Sequence, residues 1–234
     1  MGVKQKKNIW DWVLGRNIPL YVRVRRCALL ILAGIPLFQF GMGALPGRDP
    51  SPQEIKILKD VFNDSADFSQ LKIGNSPIAM TYMNILNLDA TSFGNTILVR
   101  EDLKDGFDSL PKERLYGIIH EAMHVRQTQN DYIMPLRAPW QAAVNYLTLH
   151  GRFHQYEYRL EEGKALESYG IEQQASILAD YFNITRNEGP LFLINQNIDN
   201  DKRDRLYREA LSDVINPILL SGRKSGDLAA NRTP

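Results

Sequence analysis

Cysteine is almost missing from this chain of 234 residues, where Cys27 stands alone. A single thiol excludes an internal disulfide framework and any metal knuckle built on several cysteines. The fold must therefore rest on its apolar core, and a body of about 180 residues can bury enough surface for that. Histidine is scarce too, with four residues. The chain contains no internal repeat and no low-complexity tract. Hydrophobic content of 44% and charged content of 24% fall in the globular range, which excludes wholesale disorder, a collagen-like fibre and a multi-span membrane protein.

Net charge is also nearly absent, at +1, but the balance hides a split. Residues 1–26 carry seven basic side chains against Asp11, a net of +6, which leaves −5 for the remainder. A mildly acidic body argues against nucleic acid as a partner. No charged residue lies between Arg26 and Arg48, and Cys27 to Phe38 reads CALLILAGIPLF without a polar side chain. A basic flank ahead of an apolar run reads as a topology signal. A full span needs about 20 apolar residues, and this run reaches that length only by including Gln39 and the glycine-rich stretch beyond it. Trp10, Trp12 and Tyr21 suit a membrane interface.

The sequence expectation is a hydrophobic N-terminal helix that associates with a membrane through residues 27–45 as a single anchor. The body would then sit in the periplasm or elsewhere outside the cytoplasm. Two other readings stand beside it. One is a cleaved export signal on a soluble secreted or effector protein, and the other is a buried or partner-binding helix.

Three parts follow: a basic head with its hydrophobic segment (1–48), a folded domain (49–220) and a flexible tail (221–234). Ser51 followed by Glu54, with Pro52 between them, is a capping box that opens a helix over 52–62. A short strand is expected at 71–73 and a β-prone segment at 95–100. Helices are expected over 111–130, 140–150, 171–183 and 201–214, while 152–162 fits either helix or strand. The fold class is α+β, mostly helical, with a small sheet.

Residues 120–124 read His-Glu-Ala-Met-His. On a helix, positions i and i+4 share a face, so His120 and His124 can hold one metal ion. Zinc suits imidazole ligands and lowers the pKa of its bound water toward about 7. Glu121 stands beside the pair as a general base for that water. The segment is helical on independent grounds, because Leu115, Ile118, Ile119, Ala122, Met123 and Val125 supply a buried stripe. Gly117, one turn before His120, leaves the metal face open on this reading.

A catalytic zinc commonly takes three protein ligands, so a third must come from downstream. The candidates are His150, His154, Glu157, Glu161, Glu162, Glu167 and Glu172. Glu172 lies in the first turn of a helix with an apolar stripe of Ile171, Ala175, Leu178 and Phe182. Spacing alone leaves its role open between metal ligand and partner of the helix dipole.

TSFGNTILVREDLKDGF, then IIHEAMHVRQTQ, then GIEQQASILADYF resemble the zinc metallopeptidases linked to the type VI secretion spike, the Vgr-related proteins. The resemblance covers about residues 51–215. It implies a zincin-like domain with Zn2+ held by His120, His124 and Glu172 and with Glu121 as the catalytic base. It also implies hydrolysis of peptide bonds in a protein or peptide substrate, and a secretion-system or immunity partner. Two positions depart from the pattern: Arg126 replaces an aromatic residue, and Ser176 stands where related peptidases carry an aspartate. Asp180 is then expected to orient one of the histidines.

A peptidase must also bind extended chain and stabilise an oxyanion. The 95–100 segment could act as an edge strand that accepts substrate. Tyr156, Tyr158, Tyr169 and His154 could donate to the oxyanion, whereas Arg126, Gln127 and Asn145 receive no role. The alternative function is a non-catalytic, membrane-tethered binding module whose metal site is structural or vestigial.

Overall fold

A computed structural model describes residues 47–74, 80, 83, 89–100, 106–107, 110, 112–130, 155–186 and 188–215. Helix α1 (Pro52–Phe62) begins with the expected capping box: the Ser51 hydroxyl accepts from the Glu54 N–H, and the Glu54 carboxylate accepts from the Ser51 N–H. That carboxylate is buried and also takes both terminal nitrogens of Arg48 at 2.6 Å. Burial alone would raise the Glu54 pKa, but Arg48 and the Ser51 N–H override it and hold the group below its ordinary value. Leu58, Val61 and Phe62 turn from this helix into the core.

Three short strands form one sheet: β1 (Lys72–Gly74), β2 (Ala90–Phe93) and β3 (Thr96–Val99), in the order β1-β3-β2. β1 runs parallel to β3, with Ile73 opposite Ile97. β2 and β3 are an antiparallel hairpin in which Phe93 faces Thr96. Its two-residue loop starts at Gly94 with φ +57°, a place where hairpin turns favour glycine. The expected edge strand at 95–100 is therefore corrected. β3 is central and all four of its residues are buried, so the margins of the sheet fall to β1 and β2.

Helix α2 (Lys112–Asn130) lies between that hairpin and helix α3 (Ile171–Thr185). Leu115, Ile118, Ile119, Ala122, Met123 and Val125 are buried along it, and Ala175, Ile177, Leu178 and Ala179 are buried along α3. Gly117 is directed at the sheet, because a Cβ added there would lie 4.0 Å from the Ala90 Cβ. A 3-10 turn (Leu166–Ser168) leads into α3. Helix α4 (Asn200–Ala210) is capped by the Asp199 carboxylate and buries Leu206 and Tyr207. Among the described residues the architecture is α+β, with four helices and a three-stranded sheet. The ambiguous 155–162 stretch is neither helix nor extended strand, and makes one bridge, from Tyr158 to Leu193.

The expected membrane anchor is corrected as follows. Among the described residues no helix is long and apolar enough to cross a membrane. α2, at 19 residues, carries Arg114, Glu121 and Arg126 along its length. The hydrophobic run 27–45, the head, the helix expected at 140–150 and the tail 221–234 lie outside the described residues.

Candidate metal centre

The i, i+4 spacing on α2 brings His120 and His124 together, with ring centroids 4.9 Å apart and planes nearly perpendicular. Both rings are buried. Opposite them, the first turn of α3 presents Glu172, whose Oε2 lies 3.1 Å from His120 Nε2 and 3.3 Å from His124 Nε2. The three side chains can offer ligand atoms that all lie within 4.8 Å of one another. Small residues on α3 allow the approach, since Ala175 and Ala179 are fully buried.

The electrostatics follow from this geometry. Burial alone would raise the Glu172 carboxyl, but the charge of His124 and hydrogen bonds from both imidazoles hold it far below the usual carboxylate range. Burial alone would lower His124, but the charge and hydrogen bond of Glu172 raise it to about 9. Without metal, Glu172 and His124 each favour the other's charged form.

Two buried imidazoles and one half-buried carboxylate, closely spaced, form a donor set that suits zinc. The hydrogen bonding fits as well. His124 Nδ1 is 2.7 Å from Gln127 Oε1, which leaves Nε2 directed at Glu172. His120 likewise directs Nε2 at Glu172, and its buried Nδ1 has no partner among the described residues. The cluster could therefore hold a metal ion.

Glu121 is half-buried one residue along, and its Oε2 accepts a 2.8 Å hydrogen bond from the Ser92 hydroxyl on β2. The sheet margin thus meets the site through a side chain. A wall of rings stands beside His120: Tyr156 at 5.7 Å between centroids, Tyr116 stacked at 6.3 Å, and Phe192 packed on both tyrosines.

Other expectations fare differently. Glu161 pairs with Lys164, and Glu162 pairs with Arg205, all at the surface. His150 and His154 lie outside the described residues. Asp180 does not orient a histidine. Its Oδ1 accepts from the Leu191 N–H, and its Oδ2 accepts from the Tyr158 hydroxyl and the Phe192 N–H. Burial pushes the Asp180 carboxyl above its ordinary value, and these donors offset only part of that. Of the four proposed oxyanion donors, Tyr158 donates its hydroxyl hydrogen to Asp180 and accepts from the Tyr207 hydroxyl, and Tyr169 donates to the Arg159 carbonyl. Among those described, Tyr156 is the one whose ring adjoins His120.

Sequence reasoning missed Gln127, Gln174 and Ser92. Gln127 lies three residues beyond His124, on the same face of the helix, which was the available signal. Ser92 is reached only if Gly94-Asn95 is read as a hairpin turn between two β-prone runs.

No family model matches the chain. A search of curated proteins finds similarity to the type VI secretion system spike protein VgrG2b of Pseudomonas aeruginosa, at 35% identity over 153 residues. The matched stretch is 63% of this chain but only 14% of that protein. Among solved structures, the effector domain of Pseudomonas aeruginosa VgrG2b aligns with a TM-score of 0.54 and 27% identity, over 80% of this chain and 98% of that one. The chain is thus homologous to the effector domain of a secretion-system spike protein. The expected membrane-anchored placement finds no support in this relationship, since the similar protein is named as a secretion-system spike protein.

Proposed function

We propose that this chain is a zinc-dependent peptidase of the type VI secretion effector kind, with a zincin-like domain over residues 49–220. The observation that carries the reading is the convergence of His120, His124 and Glu172 from two neighbouring helices, with a carboxylate on the adjoining residue. His120 and His124 would hold zinc through Nε2, and Glu172 through its carboxylate. When bound, zinc supplies a Lewis acid that polarises the scissile carbonyl and eases deprotonation of the attacking water. Glu121 takes that proton and passes it to the leaving amine. Ser92 donates to Oε2, which supports a fixed orientation of that carboxylate. Tyr156 is the candidate donor to the oxyanion. The substrate class is protein or peptide. The partners are secretion-system components and an immunity protein, a proposal drawn from the similarity to a spike protein and its effector domain.

The test compares zinc-loaded wild type with Glu121→Ala on an unfolded protein substrate. Wild type should cleave it, and the variant should lose about 10²–10⁴-fold in kcat while keeping its zinc. A second reading, a binding module with a non-catalytic metal site, has its own support: Glu172 contacts both histidines, so the cluster is already held together by its own charges. Wild type that binds one zinc per chain and cleaves nothing would favour that reading.

A further inference from the structure

The Glu-Gln-Gln-Ala motif at the start of α3 contains more than a ligand. Gln173 accepts from the Gly170 N–H and donates to the Glu157 carbonyl, pinning the segment that carries Tyr156. Gln174 donates from Nε2 to the Tyr169 carbonyl, and its Oε1 accepts from Gln127 Nε2 at 2.9 Å. Gln127 Nε2 also donates to the Ile171 carbonyl at 3.1 Å, and Gln127 Oε1 faces His124 Nδ1.

We infer that Gln127, completed by Gln174, is a positioning residue that locks His124 to the helix turn carrying Glu172 and so sets the affinity of the centre for its metal. The inference rests on the reading of His120, His124 and Glu172 as ligands. Backbone carbonyls only accept hydrogen bonds, which fixes the donor and acceptor roles along the whole chain of contacts. Because Tyr169 offers a carbonyl, Gln174 must present its amide nitrogen there and its oxygen to Gln127. Because Ile171 offers a carbonyl, Gln127 must present its nitrogen there, so its oxygen faces His124. His124 Nδ1 therefore carries a hydrogen whether the ring is neutral or charged. Nε2 is the nitrogen left to bind a metal, and it is the one directed at Glu172. The same amide joins α2 to Ile171, the residue directly before Glu172, so one side chain sets both the ring's orientation and its distance from the carboxylate.

The experiment measures zinc affinity by chelator competition on the full chain, for wild type, Gln127→Leu, Gln174→Leu, the double variant and Gln127→Glu. Gln127→Leu should bind zinc about 10–100-fold more weakly. Gln174→Leu should lose a smaller factor. The double variant should be no weaker than Gln127→Leu, because the two side chains act as one unit. Gln127→Glu keeps the acceptor for Nδ1 but cannot donate to Ile171, so its affinity should fall between those of wild type and Gln127→Leu. Wild-type affinity in both leucine variants would overturn the inference while leaving the zinc site intact. Losses that multiply in the double variant would overturn the single-unit account. Wild type that takes up no zinc would overturn both the inference and the reading beneath it. Circular dichroism checks each fold, and if Gln127→Leu does not fold, Gln174→Leu decides the question.

Discussion

Glu121 and Ser92 come from a helix and a strand that the sequence separates by 28 residues, yet they share a hydrogen bond. If that bond holds the carboxylate for proton transfer, Ser92→Ala should lower kcat by about tenfold, equivalent to about 1.4 kcal/mol of barrier. Zinc content and KM should not change, and Ser92→Thr should recover most of the rate. A second residue-scale prediction concerns Glu54. Its folded pKa is lowered, so the folded chain binds fewer protons than the unfolded chain in that window, and stability rises with pH there. The contribution is complete above the ordinary glutamate range and is lost as pH falls through the lowered value. Glu54→Gln should cost about 1.5–3 kcal/mol at neutral pH in urea denaturation and much less in strong acid. At this scale the meeting of His120 and His124 was legible because helical periodicity fixes which side chains share a face. Gln127 was not, since an amide on a helix is an ordinary surface residue until its partners on α3 are known.

At the scale of elements, the helices were read well wherever a cap or an apolar stripe marked them. Ser51 and Glu54 opened α1 where the capping box required, and the stripe of α2 and the first turn of α3 fell as expected. β2 was not read, because Ala90-Thr91-Ser92-Phe93 holds little apolar surface and gains its form by pairing with β3. Gly117 was read as clearing the metal face but is directed at β2 instead. That position has ordinary helical backbone, and Ala90 Cβ at 4.0 Å leaves room for a methyl group. Gly117→Ala should therefore stabilise the protein by about 0.5–1 kcal/mol, while Gly117→Leu should collide with β2 and destabilise it. Thermal unfolding of the two variants separates these outcomes.

For the whole molecule, the split between a basic head and a mildly acidic body does not describe the site. The centre lies where two helices meet, and Glu172 lies 52 and 48 residues beyond His120 and His124 in the chain. A metal held there joins α2 to α3, so binding should stabilise the global fold by about 4 kcal/mol at a thousandfold excess over Kd. Zinc should raise Tm in wild type and leave Glu172→Ala unmoved. His124 is raised to about 9 in the metal-free site, so zinc binding at pH 7.5 should release about one proton, the one on Nε2. Calorimetry in two buffers of different ionisation enthalpy measures that release.

A three-ligand site with an open position should be visible in a crystal structure of the zinc-loaded chain. The account predicts one anomalous zinc peak bounded by His120 Nε2, His124 Nε2 and the Glu172 carboxylate, with a solvent oxygen completing the shell. A peak elsewhere, or a fourth protein side chain closing the shell, would contradict it.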